Sequence, residues 1–214
     1  MSITATLASP LWRAKADQPG GRPLDLGRIV GADWDLLPAA LRRRFETNHG
    51  PATYHGAMDL DRSAVGAVFA WLVKPLRAPL PTQREANVAV AVQVKAAASG
   101  VVWERHLGTH HVVRSVKSPG PGNTVLERTD GGLGMVLDVT VRNGALVFTS
   151  RAFFLSIGRW RLPIPTLLTP GLCEVEHRAI GARRFRFTLT IIHPFWGTTF
   201  RQTGIFHDME ESAS

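Results

Sequence analysis

The sequence holds one cysteine, Cys173, so it forms no internal disulfide and is at home in a reducing compartment. It has no Cys-x-x-Cys and no His-Glu-x-x-His, which removes the common zinc frames. No apolar run approaches the roughly 18 residues that cross a bilayer. The first residues lack a basic stretch followed by an apolar one, so no signal peptide is expected. A soluble, cytoplasmic protein is the expectation. Acidic residues are the minority: 17 Asp and Glu against 25 Lys and Arg leave a net charge of +8. Nearly all the basic residues are Arg, and they are dispersed apart from Arg42-Arg43-Arg44 and Arg183-Arg184. Such a balance suits a nucleic acid or an anionic membrane surface, or it is only solvated charge in an Arg-rich composition.

What is present fits one domain of 214 residues with 44% hydrophobic content. Residues 1–27 carry Pro10, Pro19, Gly20-Gly21 and Pro23 without periodicity and read as a flexible arm. Residues 28–209 read as a single domain, and 210–214 as a short tail. Two short helices are expected within about residues 35–73. Asp33 or Asp35 would cap the first, with Pro38 in its first turn. Leu37, Ala40, Leu41, Arg44 and Phe45 then share one face, and Arg42 and Arg43 point outward. Asn48-His49-Gly50-Pro51 ends that helix. Residues 54–60 suit a short strand. Asp61 or Ser63 would cap the second helix over residues 64–73, which Pro75 stops. Its apolar stripe is Val65, Val68, Phe69 and Leu72, with Trp71 off the stripe.

Residues 88–206 read as a β-meander. Val88, Val90, Val92 and Val94 alternate with smaller or polar residues. Trp103 and Arg105 share a face with Val101 and Leu107. Asn143-Gly144 is the favoured pair of a two-residue type I′ turn. It fixes the register: Arg142 faces Ala145, Val141 faces Leu146, Thr140 faces Val147 and Val139 faces Phe148. Leu162-Pro163-Ile164-Pro165 removes two ladder donors and belongs at an edge or crossover. Phe185, Phe187, Leu189 and Ile191 alternate cleanly with Arg184, Arg186, Thr188 and Thr190. Short hairpin-linked strands at close spacing predict a mainly β fold: a strongly curved antiparallel meander, a lipocalin-like barrel or half-barrel. The two N-terminal helices would plug or cover one end. A helix-grip fold would need a long helix after the last strand, and too few residues follow Phe206.

The order of several pieces resembles the bacterial "domain of unknown function 4166" family. They are Leu37-Pro38, then Trp103-Glu104-Arg105-His106-Leu107, Leu126-Glu127-Arg128, Leu162-Pro163-Ile164-Pro165 with Leu168 and Pro170, Glu174, Pro194-x-x-Gly197 and Gly204. Together they cover about five-sixths of the chain. His106-Leu107 stands where an aromatic is usual, and Gln202-Thr203 where a tyrosine is usual. Relatives stand alone or are fused behind dehydrogenase-like or epimerase-like domains. The resemblance therefore implies an accessory or ligand-handling role beside an oxidoreductase-like partner domain.

Few residues carry chemistry. Arg105 beside Trp103 suits a carboxylate or phosphate end of a ligand, or else a structural ion pair with Glu127 or Glu174. Glu127, Glu174 and Glu176 are the carboxylates that could converge inside a barrel as acid and base. His110 and His111 point to opposite faces of a strand and so chelate no ion together. Asp130-Gly131-Gly132-Leu133-Gly134 lacks the Lys-Ser/Thr of a phosphate loop and reads as a turn. Phe195-Trp196, Trp160 and residues 162–168 suit an apolar lip or capping aromatics. The leading expectation is a module that binds a small apolar or amphipathic acidic ligand through Trp103, Arg105, Glu127 and Glu174. No cofactor, metal or catalytic residue is expected. Two other readings stand. One is an enzyme for a lipid-like or isoprenoid-like substrate with a buried Glu as acid/base. The other is a peripheral membrane or nucleic-acid contact through Arg42, Arg43 and Arg44, with nucleic acid the less expected partner.

Overall fold

The computed structural model describes residues 12–13, 23–46, 51–78, 80–97, 100–108, 111–158 and 160–208, with backbone alone at 12, 13 and 111. Most of the 1–27 arm, the Asn48-His49-Gly50 helix end, His110 and the 210–214 tail lie outside these residues.

Ten strands close into an antiparallel barrel. They are β2 (Ala52–Arg62), β3 (Glu85–Ala97), β4 (Gly100–Leu107), β5 (His111–Pro119), β6 (Thr124–Thr129), β7 (Leu133–Arg142), β8 (Ala145–Ile157), β10 (Leu172–Ala179), β11 (Arg184–His193) and β12 (Gly197–Asp208). Each neighbours the next, and β12 returns to pair with β2 from Phe200 opposite Arg62 to Asp208 opposite Tyr54. The half-barrel alternative is thereby removed. The early strand is not a short preface to the meander but a full wall strand, because the last strand is its partner.

β9 (Trp160–Ile164) hangs beside the wall. It pairs with the second half of β8, with Pro163 opposite Phe154, while the first half of β8 pairs with β10. Its other edge meets β1 (Trp12–Arg13). A strand carrying prolines is confined to such a side position. The Asn143-Gly144 hairpin has the register its turn demands, with positive φ at both residues.

Parity sorts the wall. Val90 and Val92, Val125, Leu146 and Phe148, and Phe185, Phe187, Leu189 and Ile191 of β11 point inward and are buried. Gly204 also faces inward, opposite Met58. A Cβ there would lie 2.5 Å from Met58 Cγ and 2.6 Å from the Ala57 carbonyl, so only glycine lets the Met58 side chain cross.

Among the described residues a further α-helix precedes the two expected ones. α1 (Leu26–Val30) is capped by Asp25, whose carboxylate accepts from the Arg28 N–H at 2.9 Å. A 3₁₀ turn over Gly31–Leu36 leads to α2 (Ala39–Phe45). Neither Asp33 nor Asp35 caps α2. Leu37 is extended, as a residue before proline prefers, so the helix starts afresh after Pro38. Asp35 instead pairs with Arg42 at 3.0 Å. α3 (Ala64–Val73) is capped by Ser63, whose hydroxyl accepts from the Gly66 N–H at 3.1 Å.

The helices divide between the two ends of the barrel, rather than stacking on one as expected. α1, the 3₁₀ turn and α2 lie across the end where β2 starts and β12 finishes. Leu41 and Phe45 are buried there, and Arg44 reaches Asp208 at 3.8 Å. α3 lies across the opposite end, against the start of β12, where Ser63 N–H donates to the Thr199 carbonyl. The chain after α3 is tied to the β6–β7 turn by a hydrogen bond from Thr129 Oγ1 to the Leu76 carbonyl.

Candidate functional site

Alternation along β4, β5 and β6 turns polar side chains of each strand into the barrel. On β4 the inward residues are Val101, Trp103, Arg105 and Leu107. On β5 they are Val113, Ser115 and Lys117, and on β6 Val125, Glu127 and Thr129. The β5–β6 register sets Lys117 directly opposite Glu127. The β4–β5 register sets Ser115 opposite Trp103.

The three groups meet at one oxygen. Lys117 Nζ lies 2.8 Å from Glu127 Oε1, and Ser115 Oγ donates to the same oxygen at 2.8 Å. Arg105 Nη2 approaches it at 3.9 Å, beyond hydrogen-bond reach. Lys117 also sits 5.1 Å from the centre of the Trp103 ring, and Phe45 of α2 stacks with that ring at 6.0 Å. Two cations thus share one carboxylate in a low-dielectric interior.

The proton affinities carry that imbalance. Burial alone would raise Glu127, but Lys117, then Arg105, then hydrogen bonds from Lys117 and Ser115 outweigh it and hold it below the ordinary carboxylate range. Lys117 is pulled below the ordinary lysine range, first by burial and also by Arg105, in spite of Glu127. The acid is held in its charged form by the two cations, whereas the base is disfavoured in its charged form by burial first and by Arg105 second.

His177, inward on β10, forms the adjoining wall. It stands edge-on to Phe45 at 5.0 Å and to Phe187 at 5.4 Å. Burial, then Arg44, Lys117 and Arg105, hold it well below the ordinary histidine range, so the ring is neutral. Its Nδ1 is buried and has no hydrogen-bond partner. Arg44 lines a small space of about 20 Å³, which shares Trp103, Arg105 and His177 with the larger chamber beside Glu127. Its guanidinium lies 3.0 Å over Phe185 and 3.7 Å over Tyr54, and burial pulls its pKa down against Tyr54 and Asp208. Cys173 faces the larger chamber, and burial followed by Glu127 pushes its thiol up to about 12, so it is no nucleophile.

Trp103, Arg105, Lys117, Glu127, Cys173 and His177 line this chamber of about 50 Å³, enough for a few water molecules. A second space of about 310 Å³ opens at the α3 end, between residues 80–85 and the inward residues Leu60, Val88 and Val113. Leu107 and Gln202 line both spaces, which are therefore neighbours. The barrel is therefore neither hollow nor packed solid.

Trp103, Arg105 and Glu127 come together as the sequence suggested. Glu174 does not join them. Cys173 and Val175 point inward, so Glu174 between them points out, where it pairs with Arg142. Glu176 is likewise outside, bonded to Arg178 at 2.9 Å. The convergent carboxylate pair is thus not formed. The Arg42-Arg43-Arg44 run is split: Arg42 is paired with Asp35, Arg43 is exposed and Arg44 is buried. Lys117, Ser115, His177 and Arg44 are the interior polar residues that sequence reasoning missed. Among the described residues, no group of three or more His, Cys, Asp or Glu is arranged to hold a metal ion, and no helix is long and apolar enough to cross a membrane.

No curated protein matches the chain in sequence. One family model, described as a domain of unknown function, matches residues 37–206, from the residue before Pro38 of α2 to the inward Phe206 of β12. The match takes in every residue of the chamber wall, and the chain belongs to the DUF4166 family.

Proposed function

We propose that the protein is a binding module for a small amphipathic carboxylic acid, taken head-first into the barrel. The observation that carries this reading is the interior charge: Arg105 and Lys117 share the single carboxylate of Glu127. A buried cation without full compensation is costly, and an entering carboxylate would supply the second negative charge. Arg105, held 3.9 Å from Glu127, keeps its donor fork for that group. The unpartnered Nδ1 of His177 offers a further polar contact. The carboxylate end occupies the chamber and the apolar end lies in the 310 Å³ vestibule, near the lower size limit of ordinary ligand sites.

The acid/base alternative loses support from the same geometry. A general acid near neutral pH needs a raised carboxyl pKa, and Glu127 is lowered.

The test is thermal denaturation and native mass spectrometry with decanoate, decanol and decylamine. Decanoate is expected to bind and stabilise, by about 2.7 kcal/mol at a hundredfold excess over its Kd. Decanol and decylamine should do neither, and Arg105→Met should abolish the effect of decanoate. Stabilisation by all three compounds alike, or by decanoate in Arg105→Met, would remove the reading.

A further inference from the structure

α3 has the sequence AVGAVFAWLV, without one charged residue. Gly66, Phe69 and Ala70 form its buried face. Gly66 sits so close to the wall that a Cβ would lie 2.2 Å from the Thr199 carbonyl oxygen. The opposite face is no less apolar: Val68, Trp71 and Leu72 are 58%, 72% and 54% exposed. A helix apolar all round belongs in a core or against another apolar medium. This one is rigidly seated and lies on the surface.

The surface continues beyond the helix. Trp196 packs on Phe69 at 5.9 Å and stacks on His193 at 4.1 Å, yet stays half exposed, and Phe195 beside it is 72% exposed. Leu168 adds to it from the chain before β10, which Thr199 Oγ1 ties down through the Pro170 carbonyl. Among the described residues, the exposed large apolar side chains lie almost wholly at or beside this end, the exceptions being Leu36 and Ile205.

The acidic groups nearest the helix are paired, Asp61 with Arg84 and Asp130 with Arg114. Lys74 and Arg77 follow α3 directly and are exposed, and neither forms an ion pair among the described residues. A second copy of the chain is a poor occupant. Two-fold pairing would set each basic rim near its own copy, between molecules that each carry +8. A bilayer containing anionic lipid fits every part. It offers hydrocarbon to Val68, Leu72 and Phe195, the headgroup level to the indoles of Trp71 and Trp196, and countercharge to Lys74 and Arg77.

We propose that the α3 end of the barrel is a docking face for an anionic lipid bilayer, with α3 lying in the interface plane. The vestibule opens at the same end. The docking proposal does not depend on what fills the chamber.

The test is flotation with phosphatidylcholine vesicles, with and without phosphatidylglycerol, read also by tryptophan fluorescence. The protein should float with the anionic vesicles at low salt, with a blue-shifted emission. Trp71→Glu should cut the bound fraction at least tenfold with an unchanged melting temperature. Lys74→Glu with Arg77→Glu should cost about tenfold or more on anionic vesicles and little on neutral ones. Arg105→Met should float as the wild type does, so loss of acid binding and loss of docking are read separately. Absence of flotation, flotation indifferent to Trp71→Glu, or a dimer that Trp71→Glu makes monomeric would each overturn the proposal.

Discussion

The two ends of the barrel are covered alike, each by short helices laid over strand ends, and they spend their apolar residues differently. At the α2 end, Leu41 and Phe45 are inside, the buried Arg44 is matched by Asp208, and away from the α3 end the exposed large apolar residues among those described are Leu36 and Ile205. At the α3 end only one face of the helix is used for packing, and Val68, Trp71, Leu72, Phe195 and Trp196 face outward. The first end behaves as core. The second carries apolar surface that the described residues leave uncovered, the kind of surface from which the docking proposal is argued. Between the ends lies a chamber whose charge is unbalanced in one direction. Stability and interaction are thus separated along the barrel axis.

The sharpest test of that separation is Phe45→Ala. It removes a ring that touches Trp103, Phe148 and His177 and should cost about 3–5 kcal/mol in urea denaturation. Glu127→Gln should cost a similar or slightly smaller amount, about 3–5 kcal/mol, because it leaves Lys117 and Arg105 buried without a carboxylate. Decanoate should restore part of that loss.

The pH profile gives a smaller effect. The folded pKa of Glu127 lies below its ordinary 4.5. Its contribution is therefore complete above about pH 4.5 and is lost as the pH falls further. Wild type should lose stability more steeply with acid than Glu127→Gln does, as measured by denaturation midpoints down the acid range. The smallest effect belongs to the other end. Trp71→Ala and Leu72→Ala should change stability by no more than about 0.5 kcal/mol each. If they cost as much as Phe45→Ala, the α3 end is core after all and the comparison collapses.

Much of the wall was legible because local rules fix it. The Asn143-Gly144 turn determines its own register, β11 alternates from Arg184 to Ile191, and Pro163 in β9, with Pro165 just after it, forbids a central position. Closure was not legible. Nothing local in Tyr54, Gly56 or Met58 says that their partners lie in β12, some 150 residues on. The chamber was half legible for a related reason. Parity tells which residues share a face, but not which face is inside. On β5, Val112, Arg114 and Val116 look like the buried set, yet Val113, Ser115 and Lys117 are. The registers with β4 and β6 decide it, and they are long-range facts. The same ignorance let Glu174 be grouped with Glu127, although the inward Cys173 and Val175 exclude it. Arg44 was assigned to the correct helical face, but its charge concealed that this face is core.

The pairing of β2 with β12 also sets a clock. A ribosome delivers Ala52–Arg62 early and Gly197–Asp208 late. Until the late strand emerges, the nascent sheet has two unpaired edges, and the cations destined for the chamber still face water. An open, growing sheet of this kind is prone to association. Production of the protein should therefore be more sensitive to translation rate and chaperone supply than the finished barrel is to heat.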